Sequence, residues 1–244
     1  DVCSSDLSNQ WVKETGIRID FGGIDPSAPR GLHTPYVFRF PDGIMRMYYD
    51  NLRQGFKEMH SATSIDGLVW VKDTGDRLPG FGFHPHIIKI SDTLFRMYYE
   101  ASLTGAIKSA LSSDGLTWVV DAGFRLISVP GSHTNLVVDP VVIELPGGVL
   151  RMYYRVRNKN FIGSATSTDG LIFTVESGKR IENAAEFAAI CLPDNTVVIY
   201  FSRPNYRKIL SARSSDGLSF TLDPGVRLLP GNHPDGFQAV SGAI

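Results

Sequence analysis

The sequence predicts an all-β protein: a five-bladed β-propeller of four-stranded antiparallel blades, with the fifth blade incomplete. Three observations predict it. A unit of four short β-prone runs recurs four times along the 244 residues, each unit carries an S-x-D-G turn followed by an aromatic, and the two chain ends carry fragments of one more unit. Four strands in a repeat of about 50 residues match a propeller blade.

Each unit opens on an apolar first strand: YVFRF (36–40), HIIKI (86–90), VVIEL (141–145) or FAAICL (187–192). A turn leads to the second strand, RMYYD (46–50), RMYYE (96–100), RMYYR (151–155) or VIYFS (198–202). The third contains HSATS, KSALS, GSATS or LSARS and runs into SIDGLVW (64–70), SSDGLTW (112–118), STDGLIF (167–173) or SSDGLSF (214–220). Asp-Gly between β-prone runs suits a two-residue type I′ turn, which needs positive φ at both positions. The serine closes local hydrogen bonds and the aromatic buries a large face. The fourth strand starts at that aromatic and ends in G-x-R-[LI], at 75–78, 123–126, 178–181 and 225–228.

The ends supply the fifth blade. WVKETGIRI (11–19) copies the fourth strand WVKDTGDRL (70–78), and DGFQAVSGAI (235–244) stands where a first strand begins. Joining the termini in one blade removes the sheet edges at the seam. Alternatively, 11–19 ends an earlier blade, which makes six. DVCSSDL (1–7) has no counterpart in the repeats and reads as a non-native, adapter-like segment, leaving 8–244 as a single propeller domain and the native N-terminus missing.

Composition excludes several classes. A net charge of −1 implies no polyanion partner, so no nucleic acid is expected. No apolar run reaches the roughly 18 residues of a membrane span, and no membrane partner is expected. Cys3 and Cys191 are too few for a disulfide framework. Nucleotide-binding glycine motifs and H-E-x-x-H are absent from the sequence.

The D-P pair at the third first strand (139–140), R-M-Y-Y in the second strands and S-x-D-G-x-x-[WF] at the hairpins resemble the five-bladed propellers of glycoside hydrolase families 43 and 32. Sialidase Asp-boxes are similar but carry one more residue between Asp and Gly, so a sialidase-like enzyme ranks second. The resemblance implies a secreted or periplasmic bacterial protein, monomeric, acting on a carbohydrate ligand without an obligatory cofactor. It also makes His84 a candidate for holding a structural calcium near the axis.

In a propeller, the entries of the first strands share one face with the second-to-third loops, and the S-x-D-G hairpins point to the other. Positions that differ between blades at those entries are therefore where chemistry is expected. They are His33-Thr34, His84, Asp139 and Glu186. The resemblance makes Glu186 the general acid and Asp139 the carboxylate that orients and tunes it. At the position of the general base stands Thr34, whose hydroxyl is no base near neutral pH. Asp25, Asp235 or His33 are the candidate replacements, and a non-catalytic glycan-binding propeller is the alternative. Arg53, Arg157, Arg203 and Tyr206, in second-to-third loops, are candidate sugar-binding residues. The recurring arginines Arg46, Arg96 and Arg151, and those of G-x-R-[LI], are expected to be scaffold.

Overall fold

The computed structural model describes residues 16, 18–19, 32–53, 56–78, 80, 82–102, 105–127, 136–204 and 208–228. They form four antiparallel sheets. The first is β1 (Leu32–Arg39), β2 (Met45–Arg53), β3 (Phe56–Ser64) and β4 (Val71–Lys72). The second is β5 (Phe83–Ser91), β6 (Leu94–Ser102), β7 (Ala106–Ser112), β8 (Val119–Val120) and β9 (Leu126–Ile127). The third is β10 (Val137–Glu144), β11 (Leu150–Val156), β12 (Phe161–Ser167), β13 (Thr174–Val175) and β14 (Ile181–Glu182). The fourth is β15 (Phe187–Cys191), β16 (Val197–Phe201), β17 (Leu210–Ser214) and β18 (Thr221–Leu222). In the second and third sheets the outer strand is split, β8 and β9 both pairing β7, and β13 and β14 both pairing β12.

The described residues thus make four blades, not the five expected. Of the two end fragments assigned to a fifth blade, 235–244 lies outside the described residues. Only Gly16, Arg18 and Ile19 of 11–19 lie inside them, and Ile19 packs beside Tyr49 and Trp70 of the first blade. Among the described residues no helix is long and apolar enough to cross a membrane.

The first strands gather around the axis, β1 against β5, β5 against β10 and β10 against β15. The core lies between blades, which explains why R-M-Y-Y is apolar on both faces: a mid-blade strand is covered on each side and needs no polar alternation. Tyr48 faces the second blade, joining a cluster with Met97, Tyr99 and Trp118, while Tyr98 faces the third, with Val142, Met152 and Ala165. The third and fourth blades meet through Tyr153, Ile162, Ile199 and Phe201.

The S-x-D-G turns are the latches of these interfaces. The hydroxyl of Tyr48 donates to the Gly115 carbonyl at 2.7 Å, that of Tyr98 to Gly170 at 2.9 Å and that of Tyr153 to Gly217 at 2.8 Å. The arginine two residues earlier donates to the Asp carbonyl of the same turn: Arg46 to Asp114, Arg96 to Asp169 and Arg151 to Asp216. Arg77, Arg125 and Arg180 reach the Leu carbonyl that follows. The recurring arginines are scaffold, as expected from their recurrence. The turn itself differs from expectation: only its glycine has positive φ, +73° at Gly67, and the loop is longer than two residues. The Asp66 side chain does the work instead, accepting from the Leu68 and Val69 amides at 2.8 and 2.9 Å while Ser64 Oγ accepts from Gly67. Those amides hold the Asp66 carboxyl below its usual range.

Candidate functional site

At the opposite end of the blades, three first strands break in the same way. His33 pairs with Asp50 and Tyr36 with Tyr48, so two residues, Thr34 and Pro35, face one on β2. Phe83/His86 and Val138/Val141 bracket the same one-residue bulge in β5 and β10. The proline falls at each bulge, where its missing N–H costs no ladder bond. The residue before it is forced left-handed: φ is +48° at Thr34, +52° at His84 and +54° at Asp139. Such backbone costs about 1–3 kcal/mol per residue, most for a β-branched one, and is kept where the position matters. β15 has no bulge, and Glu186 precedes it in register, its carbonyl accepting from the Ser202 amide at 2.9 Å.

The bulges turn these side chains to the axis. Thr34, His84, Asp139 and Glu186 line one cavity with Tyr36, His86 and Phe187. With the open solvent at its mouth it encloses about 490 Å³. Four sequence-predicted residues from four blades therefore meet.

A second tier lies behind them, on the last residue of R-M-Y-Y-x. Asp50, Glu100 and Arg155 occupy that position, all buried. The Thr34 hydroxyl donates to Asp50 Oδ1. Arg155 bridges the two predicted carboxylates, Nε at 2.5 Å from Asp139 Oδ2 and Nη2 at 3.2 Å from Glu186 Oε1. Arg157 pairs with Glu100 at 3.2 Å. These residues escape a reading of first strands alone. Their signal is that R-M-Y-Y repeats while the next residue changes from Asp to Glu to Arg.

The charges are tightly set. His84 Nδ1 lies 2.7 Å from Asp139 Oδ1. Burial by itself pushes the imidazole pKa down, but the Asp139 carboxylate, with Glu186 and Glu100 adding, pushes it up to about 9. Burial likewise raises the Asp139 pKa, and His84 and Arg155 outweigh it, holding that carboxyl well below its usual range. His86 is different: burial pushes it down to about 3, so it is neutral, and its Nδ1 accepts from the Val142 amide at 3.3 Å.

His84, Asp139 and Glu186 bring metal-ligand atoms within 4.8 Å of one another. They do not fit the calcium ion expected near His84. Calcium takes six to eight oxygen ligands, whereas this cluster offers an imidazole nitrogen and two carboxylates that already share the Arg155 guanidinium.

Of the other predicted residues, His33 is exposed and lies outside the cavity wall, on the far side of the alternation from Thr34. Arg157 joins the site through Glu100. Arg203 is partly buried and does not line the cavity. Arg53 ends β2, and its side chain, like Asp25, Tyr206 and Asp235, lies outside the described residues.

No family model matches the chain, and no curated protein matches it in sequence. Solved structures do. Zg3597, a family 117 glycoside hydrolase of the marine bacterium Zobellia galactanivorans, is similar with TM-score 0.73 at 16% identity, over 87% of this chain and 74% of that one. The RS223 β-xylosidase is similar with TM-score 0.69 at 14% identity, over 84% and 77% of the two chains. A GH43_1 enzyme from Xanthomonas citri is similar with TM-score 0.63 at 13% identity, over 83% and 76%. At these identities the likeness is one of fold: the chain has the fold of glycoside hydrolase propellers.

Proposed function

We propose that the protein is a glycoside hydrolase, family 43-like in its first-strand residues, that cleaves a glycosidic bond of a poly- or oligosaccharide at the axial cavity with Glu186 as proton donor. The observation that carries this reading is the convergence of Thr34, His84, Asp139 and Glu186 on one cavity. Glu186 is half-buried, its side chain 34% exposed, so it reaches a substrate while keeping fixed partners. As it gives its proton to the leaving oxygen, the Arg155 guanidinium 3.2 Å away stabilises the carboxylate that forms. Asp139 balances the charges of Arg155 and His84 and fixes both groups.

One observation favours a second donor. His84 lines the cavity, its pKa is pushed up to about 9, and with Nδ1 held by Asp139 its Nε2 carries a transferable proton at neutral pH. Glu186→Gln and His84→Asn, assayed on 4-nitrophenyl glycosides and on glycosides with poor leaving groups, separate the two. Loss of general acid catalysis costs about 10² to 10⁴ in rate, and it is largest for the poor leaving groups in the variant that lacks the donor. Saturable glycan binding by the wild type with no turnover on any substrate replaces this reading with a glycan-binding propeller, the class that Thr34 at the base position favours.

A further inference from the structure

Resting on the hydrolase reading, we propose that the base absent from the first-blade entry is supplied from the second strand, by a relay in which Thr34 takes the proton of the attacking water and hands its own to Asp50. At the equivalent entries of the third and fourth blades the chain presents a carboxylate directly. In the first blade the carboxylate has moved one strand back. Asp50 lies behind Thr34, fully buried, with 0% of its surface exposed. Among the described residues Asp50 does not line the cavity, whereas Thr34, whose hydroxyl donates to it, lines the wall and is partly exposed.

The hydrogen-bond pattern has the right direction. The Thr34 hydroxyl donates to Asp50 Oδ1, and Thr34 Oγ1 accepts from the His84 amide at 3.4 Å. A hydroxyl oxygen has two lone pairs, so Thr34 keeps one for an incoming donor. Among the described residues Asp50 Oδ2 is buried and without a hydrogen-bond partner. A buried carboxylate oxygen left unmatched is costly and calls for a reason beyond packing. The backbone adds another cost, since Thr34 is a β-branched residue at φ +48°. A hydroxyl aimed by a strained bulge at an under-satisfied carboxylate is an arrangement for moving a proton.

The step balances. The water oxygen forms its bond to the anomeric carbon as the bond from that carbon to the leaving oxygen breaks. One water proton passes to Thr34 Oγ1 while the Thr34 proton passes to Asp50 Oδ1. The leaving oxygen keeps the electron pair of the broken bond and takes the proton of the donor assigned above. Asp50 ends protonated, the donor deprotonated, and solvent exchanges the two protons once the products leave. Attack by water in a single displacement inverts the anomeric configuration.

The test uses the full chain and whichever 4-nitrophenyl glycoside the wild type turns over fastest. Thr34→Val, which keeps shape and β-branching, and Asp50→Asn, which keeps shape, each lower turnover by about 10² to 10⁴, whereas Thr34→Ser stays within about threefold. Sodium azide, a nucleophile that needs no base, restores the rate in both impaired variants and yields a glycosyl azide of inverted configuration. The wild-type rate in mixtures of light and heavy water curves downward with isotope fraction, as several protons in flight require. If Asp50→Asn melts far below the wild type, the partly exposed Thr34→Val carries the test alone. Turnover by the wild type together with unchanged turnover in Thr34→Val and Asp50→Asn overturns the relay and leaves the hydrolase reading standing. Lost turnover that azide does not restore reduces Thr34 and Asp50 to structural residues and overturns it too. A wild type silent on every glycoside overturns both.

Discussion

The two ends of the blades obey opposite rules. At the hairpin end the same residues return in every unit: Ser, Asp and Gly shape the turn, and a tyrosine and an arginine of the preceding blade hold it in the same way three times over. At the entry end the backbone repeats but the side chains do not. The bulge and its proline recur in three blades, and what they present changes from Thr to His to Asp. Repetition of both backbone and side chain marks an interface, which every blade needs equally. Repetition of backbone with changing side chains marks a site, where each position has its own part.

The largest expected effect of breaking this contrast is at Arg155, the buried cation that serves only the entry end. Arg155→Met leaves Asp139 and Glu186 without their shared partner. Removing one side of a buried ion pair costs about 3–5 kcal/mol, read as a fall in the urea midpoint, with loss of turnover in the molecules that remain folded.

Next comes pH. His84 is raised from 6.5 to about 9 in the fold, so its pairing with Asp139 contributes fully below about pH 6.5 and is lost as pH rises through about 9. The Asp139 carboxyl is depressed, so its contribution is present above about pH 4 and is lost as pH falls through its lowered value. Stability from this pair is therefore level between about pH 4 and 6.5 and declines by about 3 kcal/mol toward pH 9.5. His84→Asn flattens that decline, and urea midpoints across the range measure it.

The smallest effect sharpens the contrast from the hairpin side. Gly217→Ala places a methyl 2.2 Å from Arg151 Nη1 and displaces the clamp, whereas at Gly67 the methyl meets only the Met45 side chain at 3.5 Å. Both pay about 1–2 kcal/mol for a side chain at positive φ, and Gly217→Ala loses more through the clamp. Turnover per folded molecule is unchanged in both, as melting curves set beside rates will show.

Most of the fold was legible because each level of the sequence agreed. Short β-prone runs, turn residues and their spacing all pointed to the same four strands, and the strands lie where those runs are. Thr34, His84, Asp139 and Glu186 were legible as a set because they sit at one position of the repeat. Asp50, Glu100 and Arg155 were not, since seeing that they stand behind the entries requires the strand register, and that register is shifted by a bulge. His33 was read as part of the entry, but the same bulge turns Thr34 to the axis and leaves His33 outside. The turn type was misjudged because Asp tolerates positive φ yet serves here as a side-chain acceptor for two amides. The described residues make four blades, and the end fragments assigned to a fifth lie almost wholly outside them.

The clamps described between blades all reach the same way, from each blade forward to the next along the chain. Arg46 and Tyr48 cover the turn of the second blade, Arg96 and Tyr98 that of the third, Arg151 and Tyr153 that of the fourth, where Val198 takes the place of the arginine. The blades overlap like roof tiles laid from one side. A roof of this kind has an order of laying: at the hairpin end the turn of each later blade lies under the tyrosine and arginine of the blade before it. Damage to a turn is felt in the blade upstream, and an exchange of two blades that keeps every strand intact still breaks the overlap wherever a blade lacking the arginine is followed by another.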